Sequence, residues 1–201
     1  MSFYLGNTKI TITFLFCALL GFLIAFDRHY VFYAFLSVCA HESAHILAMK
    51  ACKMRIDAVA LEPFGVIVKK RERAESLSRC LAVTAAGCVA NFVLAAIFFF
   101  LYKIFGRIIF SELWAVNISI FLINALPVIG LDGGQAVYEI LKWKKSKEIA
   151  AKTIKILSYC VTAVLFFIGT IICFKVRLNP SFCLFSVFLF IQTALSSMNK
   201  D

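Results

Sequence analysis

Residues His41-Glu42-Ser43-Ala44-His45 spell H-E-x-x-H. On a helix, positions i and i+4 share a face, so both imidazoles can reach one metal ion. Glu42 lies beside them and can take a proton from a water that the ion activates. The pentapeptide falls in an apolar stretch, 30–51, that is long enough to cross a bilayer. Ionisable groups in a lipid-spanning segment are costly and usually mark function. The pattern therefore points to metal-assisted hydrolysis inside a membrane. The plainer alternative is two packing histidines and an incidental glutamate, but a buried unpaired carboxylate is expensive.

A hydrolytic zinc site usually takes three protein ligands and keeps one position open for water. His29 is the remaining histidine, and at 1.5 Å per residue it would lie about 18 Å from His41 along a helix. A three-histidine site is therefore excluded. Most of the acids fall in loops. Asp132 differs, because it follows an uninterrupted apolar span and lies at the end that matches His41 and His45 in depth. Its context is Asn124-Ala125-Leu126-Pro127-Val128-Ile129-Gly130-Leu131-Asp132-Gly133-Gly134. Pro127 removes a backbone donor and breaks the helix. Gly130, Gly133 and Gly134 permit close turns that aim Asp132 sideways. Such a break at membrane depth is tolerated only where protein or water surrounds it. An N-cap for a short amphipathic helix over 133–143 is the other role open to Asp132.

The elements that must position these groups follow from composition. The chain is 62% hydrophobic with 22 phenylalanines and a mean hydropathy of +0.91, against about 45–50% apolar residues in a soluble domain. Six apolar stretches approach the length of a span: 10–26, 30–51, 80–102, 109–130, 156–176 and 179–197. The first is read as a retained span, since no small-x-small cleavage site precedes Asp27. The loop 52–70 alternates apolar and polar residues around Pro63-Phe64-Gly65, which predicts two short strands about a turn, with an irregular amphipathic loop as the alternative. Segment 71–79 is charged and predicted to be interfacial. The expected fold is an all-α polytopic membrane protein. It has about six transmembrane helices, a short β-hairpin-like element after the second span, and one domain over 1–201. The eight cysteines show no C-x-x-C spacing, and read as small apolar fillers rather than a disulfide or zinc framework.

Orientation follows from lysine and arginine. The connections 50–80 and 142–155, with Lys9 and Lys200, carry sixteen basic residues, and the opposite side carries five. Both termini and both basic loops are expected to face the cytoplasm. The net charge of +10 is then a topology signal with affinity for anionic lipid, not a nucleic-acid footprint. His45 precedes Lys50 by five residues, about 8 Å of helix, so the motif belongs to the cytoplasmic half of the bilayer.

With these motifs in place, the chain resembles the site-2 protease family of intramembrane zinc metalloproteases. The matching features are His41-Glu42-x-x-His45, Asn124-x-x-Pro127-x-x-x-x-Asp132-Gly133, and Gly87-x-x-x-Asn91 in the span between them. The resemblance covers about residues 30–135, which would be the catalytic core, with 10–26, 156–176 and 179–197 as accessory spans. It implies one Zn2+ per chain held by His41, His45 and Asp132, with Glu42 as general base. It implies that Asn124 holds the substrate peptide or polarises its scissile carbonyl. Asn91 is a second substrate-binding candidate, against a role in bonding a neighbouring helix. The strand-like loop after the first motif would present an edge to substrate. The implied partner is a membrane-embedded or membrane-associated protein, with room for a membrane regulatory partner. The minimal six-span form, with no insertion long enough for a PDZ domain, is similar to the sporulation branch that processes a membrane-associated pro-sigma factor. The implied location is a bacterial cytoplasmic membrane.

Two rival classes remain. The same His, Glu and Asp groups build metal or proton transporters, but only one charged cluster is evident and no chain of acids crosses the bilayer. A catalytically silent scaffold would be favoured by loss of a ligand or of Glu42, and all four residues are present.

Overall fold

Apolar runs without internal proline form helices in lipid, because only a helix or a closed barrel satisfies its own backbone there. The computed structural model follows this rule. It describes residues 2–5, 8–12, 29–54, 56–62, 65–70, 76–175 and 181–198. In chain order these form strands β1 (Ser2–Leu5) and β2 (Thr8–Ile12), helix α1 (His29–Ala51), strands β3 (Ile56–Glu62) and β4 (Gly65–Lys70), and helices α2 (Leu77–Phe105), α3 (Ile108–Asn124), α4 (Asp132–Lys144), α5 (Lys147–Lys175) and α6 (Ser181–Met198). Among the described residues, three helices are long and apolar enough to cross a membrane, over 30–51, 77–105 and 147–174, while 108–124 and 183–195 are shorter apolar helices.

Several boundaries differ from the sequence-based expectation. The span expected over 10–26 begins inside strand β2, and its remainder from residue 13 lies outside the described residues. The span expected over 109–130 ends at Asn124, one turn short of Pro127. The chain around Pro127 cannot supply the next backbone donor, so the ladder stops before it reaches the proline. The segment 71–79 is helical from Leu77 onward, and 71–75 lies outside the described residues.

The chain divides into two compact units, Met1–Phe121 and Leu122–Asp201. In the first unit the four strands make one sheet in the order β1-β2-β3-β4. β1 and β2 are antiparallel, β2 and β3 are parallel, and β3 and β4 are antiparallel, with Val59 opposite Val68 and Glu62 opposite Gly65. β3 is therefore hydrogen-bonded on both sides, and among the described strands β1 and β4 stand at the edges. Helices α1 and α2 run antiparallel. Met49, Met54 and Val83 form the apolar cluster at one end of that pair. α3 packs on α2 through tilted aromatic pairs, Phe99 with Trp114 and Phe92 with Phe121, at 5.8 and 5.3 Å between ring centroids.

In the second unit α5 packs against α4 and α6. The buried face of α5 carries Ala150 and Ile154 together with two small polar residues. Ser158 and Thr162 are fully buried and return their hydroxyl protons to carbonyls of their own helix. Thr193 of α6 does the same. Large apolar side chains point outward instead, with Phe167 67% and Phe174 81% exposed. Small residues inside and large apolar ones outside is the arrangement expected where lipid is the solvent.

Candidate metal centre

Helix α1 carries His41, Glu42 and His45, and its periodicity puts the two histidines one above the other. His41 is buried and His45 half-buried. Their rings meet edge-on with centroids 4.8 Å apart, and the two Nε2 atoms are 3.1 Å apart. His45 Nδ1–H donates to the Val83 carbonyl of α2 at 2.7 Å. A carbonyl only accepts, so this bond fixes the tautomer and leaves His45 Nε2 with a lone pair.

Gly87 of α2 makes room for both rings. A Cβ at that position would lie 2.6 Å from His41 Nε2 and closer still to His45 Nε2. Hydrogen is the only substituent that fits there, so α2 forms the wall behind the two imidazoles. Asn91, one turn further along α2, has no exposed surface at all.

The acid follows a break in the chain after Asn124. After Asn124 the backbone turns through Leu126–Leu131, with Val128 fully buried and Gly130 at a φ of 93°, in the left-handed region. Gly130 is also pressed against the Gln192 side chain of α6, so a Cβ there would be strained and would collide. Ser158 of α5 holds the turn by accepting the Ile129 N–H at 2.9 Å. Helix α4 then begins at Asp132, with Leu131 as the residue before it. Asp132 is thus not an N-cap, as the sequence also allowed; it stands in the first helical turn, where an acid is favoured by the helix dipole.

Among the described residues, one group of His, Cys, Asp or Glu side chains could hold a metal ion. It is His41, His45 and Asp132, which offer ligand atoms all within 4.8 Å of one another. The donors suit zinc. At Zn–N distances of about 2.0–2.1 Å, two nitrogens on a tetrahedral ion stand about 3.3 Å apart, close to the 3.1 Å observed between the Nε2 atoms. Two imidazoles and one carboxylate leave the fourth position open. Glu42 is half-buried on α1, and Asn124 is the half-buried last residue of α3.

A helical, lipid-facing chain with a three-donor metal cluster is the frame of a membrane-embedded metalloenzyme. Comparison with known proteins gives the family. The model of peptidase family M50 matches residues 30–113 and 107–168. The chain belongs to this family, the site-2 proteases. The structure is similar to the site-2 protease from Methanocaldococcus jannaschii, with a TM-score of 0.70 and 18% identity over 97% of this chain and 94% of that one. Among curated proteins none matches significantly. The family supports a membrane-embedded metalloprotease.

Sequence reasoning missed three residues that shape this site. Val83 and Ser158 act through ordinary hydrogen bonds, and Gln192 through contact with Gly130. No local signal marks them, because each matters only through what folds against it.

Proposed function

We propose that this protein is an intramembrane zinc protease that hydrolyses a peptide bond in or near a transmembrane segment of a membrane-associated substrate. The observation that carries the reading is the triad itself: two imidazoles with Nε2 atoms 3.1 Å apart and an aspartate with a ligand atom in the same 4.8 Å group. His41, His45 and Asp132 hold one zinc ion. When bound there, the metal supplies Lewis acidity that makes water a nucleophile near neutral pH.

The chain's own groups do the rest. Glu42 takes a proton from the attacking water as its oxygen adds to the scissile carbonyl carbon, and returns that proton to the leaving amine as the C–N bond breaks. Asn124 donates an amide N–H to the substrate peptide and holds its carbonyl in place. The His45 bond to the Val83 carbonyl keeps the imidazole oriented through the cycle.

A helical substrate must unwind before its peptide bond is reachable. An exposed strand edge can hold the unwound segment by backbone pairing. β3 already has partners on both sides, so β4 is the edge of the 56–70 hairpin that would take it. The substrate would belong to regulated intramembrane proteolysis, as a pro-sigma factor or anti-sigma factor in a bacterial cytoplasmic membrane. Both basic loops and the active-site side would face the cytoplasm.

Purified protein should contain one zinc per chain and cleave such a substrate. Glu42→Gln should retain the zinc and lose cleavage. Metal flux in vesicles without any proteolysis would refute the reading in favour of transport.

A further inference from the structure

Two contacts set the register of α1 against α2. His45 meets the carbonyl of Val83, and His41 faces Gly87. Four residues forward on one helix match four residues back on the other, as in any antiparallel pair. One more turn brings Ser37 to the level of Asn91. Ser37 is 3% exposed, and Asn91 is fully buried. The third helix joins through Asn117, 1% exposed, which donates from Nδ2 to Ser37 Oγ at 3.0 Å and to the Leu113 carbonyl at 2.8 Å.

The hydrogen-bond inventory of these three residues does not close. Asn117 uses both amide protons, and its buried Oδ1 has no partner in the described structure. Asn91 has none for either Oδ1 or Nδ2. Buried amides without partners are rare, because each forfeits its hydration. Three helices thus converge on two orphan acceptors and one orphan NH2 group, with the Ser37 hydroxyl alongside. Water both donates and accepts, and a buried water typically makes about three such bonds.

We propose that Ser37, Asn91 and Asn117 form a binding site for ordered water one helical turn from His41. The site ties α1, α2 and α3 together at that depth and so positions the His41 imbedded in the same face of α1. These are positioning residues, one turn removed from the metal ligands. The site itself stands on the geometry of the first unit; only its effect on zinc rests on the function proposed above.

The test uses the full chain in lipid nanodiscs, with zinc affinity read by competition with a chromogenic chelator. Asn91→Leu and Asn117→Leu should each weaken zinc binding by about 5-fold or more, the effect of losing about 1 kcal/mol of buried polar bonding that holds α1 in place. Thr193→Val, which removes a buried hydroxyl bonded within α6, should leave it unchanged. A high-resolution crystal structure of the native protein should show water bonded to Asn117 Oδ1 and Asn91. Native zinc affinity in both leucine variants would overturn the proposal. So would two amides bonded directly to each other with no water density, a result that stands even if the variants fail to fold. A native protein that binds no zinc would defeat the metal-site reading alone, because the water density would still decide this one.

Discussion

Gly87→Ala isolates the wall behind the two proposed metal ligands, His41 and His45. The added Cβ would lie 2.6 Å from His41 Nε2, whereas ordinary contact begins at 3.4 Å. The shortfall is therefore 0.8 Å for that atom, and it is larger for His45 Nε2. Metal–ligand distances tolerate only about 0.2 Å, so the rings cannot absorb the methyl and still share one ion. Nor can His45 swing away freely, because its Nδ1–H is bound to the Val83 carbonyl on the same helix that carries the methyl. Either α2 retreats or a histidine leaves its position. Overpacking of this kind costs about 1–3 kcal/mol, which corresponds to a loss of about 5- to 150-fold in zinc affinity. Chelator competition measures that loss directly, and cleavage should fall with it at limiting zinc. Thermal unfolding of the zinc-free protein separates a local effect from a folding defect. Zinc binding within twofold of native would refute the claim that Gly87 abuts both imidazoles.

Other outcomes follow from the same geometry. Ser158→Ala strands the half-buried Ile129 N–H and should cost about 1 kcal/mol, read as a lower melting temperature and weaker zinc binding; Ser158→Thr should restore most of it. Gly130→Ala combines a left-handed backbone with a clash against Gln192, so Gln192→Ala in the same chain should recover the part due to the clash. Removing zinc with a chelator should abolish cleavage, and adding zinc back should restore it, while Glu42→Gln stays inactive at any zinc concentration. Prolines along Gly65–Lys70 should leave zinc bound and stop cleavage; unaffected cleavage would sink the strand-addition step.

Composition and spacing pointed to a metal site in a membrane, and the resemblance of the motifs supplied the protease family. An H-E-x-x-H pentapeptide in an apolar run dictates a helix, and a helix of fixed pitch puts His41 and His45 on one face whatever surrounds it. The same reasoning found Asp132, because a proline and glycines after an apolar span must break the ladder and redirect the chain. Helix ends were less legible. Whether α3 stops at Asn124 or runs to residue 130 depends on how far before Pro127 the turns tighten, and hydropathy does not register that.

Only the tertiary structure decided what stands around the site. Val83, Ser158 and Gln192 are ordinary residues in their own helices, and Gly87, though part of a recognisable motif, takes its role from the rings packed on it. Val83 matters because antiparallel packing puts its carbonyl against His45. Ser158 matters because α5 lies beside the break before Asp132. Asn91 and Asn117 are polar residues in lipid-compatible helices; the sequence left open whether Asn91 holds substrate or bonds a neighbouring helix, and it did not mark Asn117. The fold buries both completely or nearly so, since a polar amide in a membrane protein is least costly where other helices or water can satisfy it.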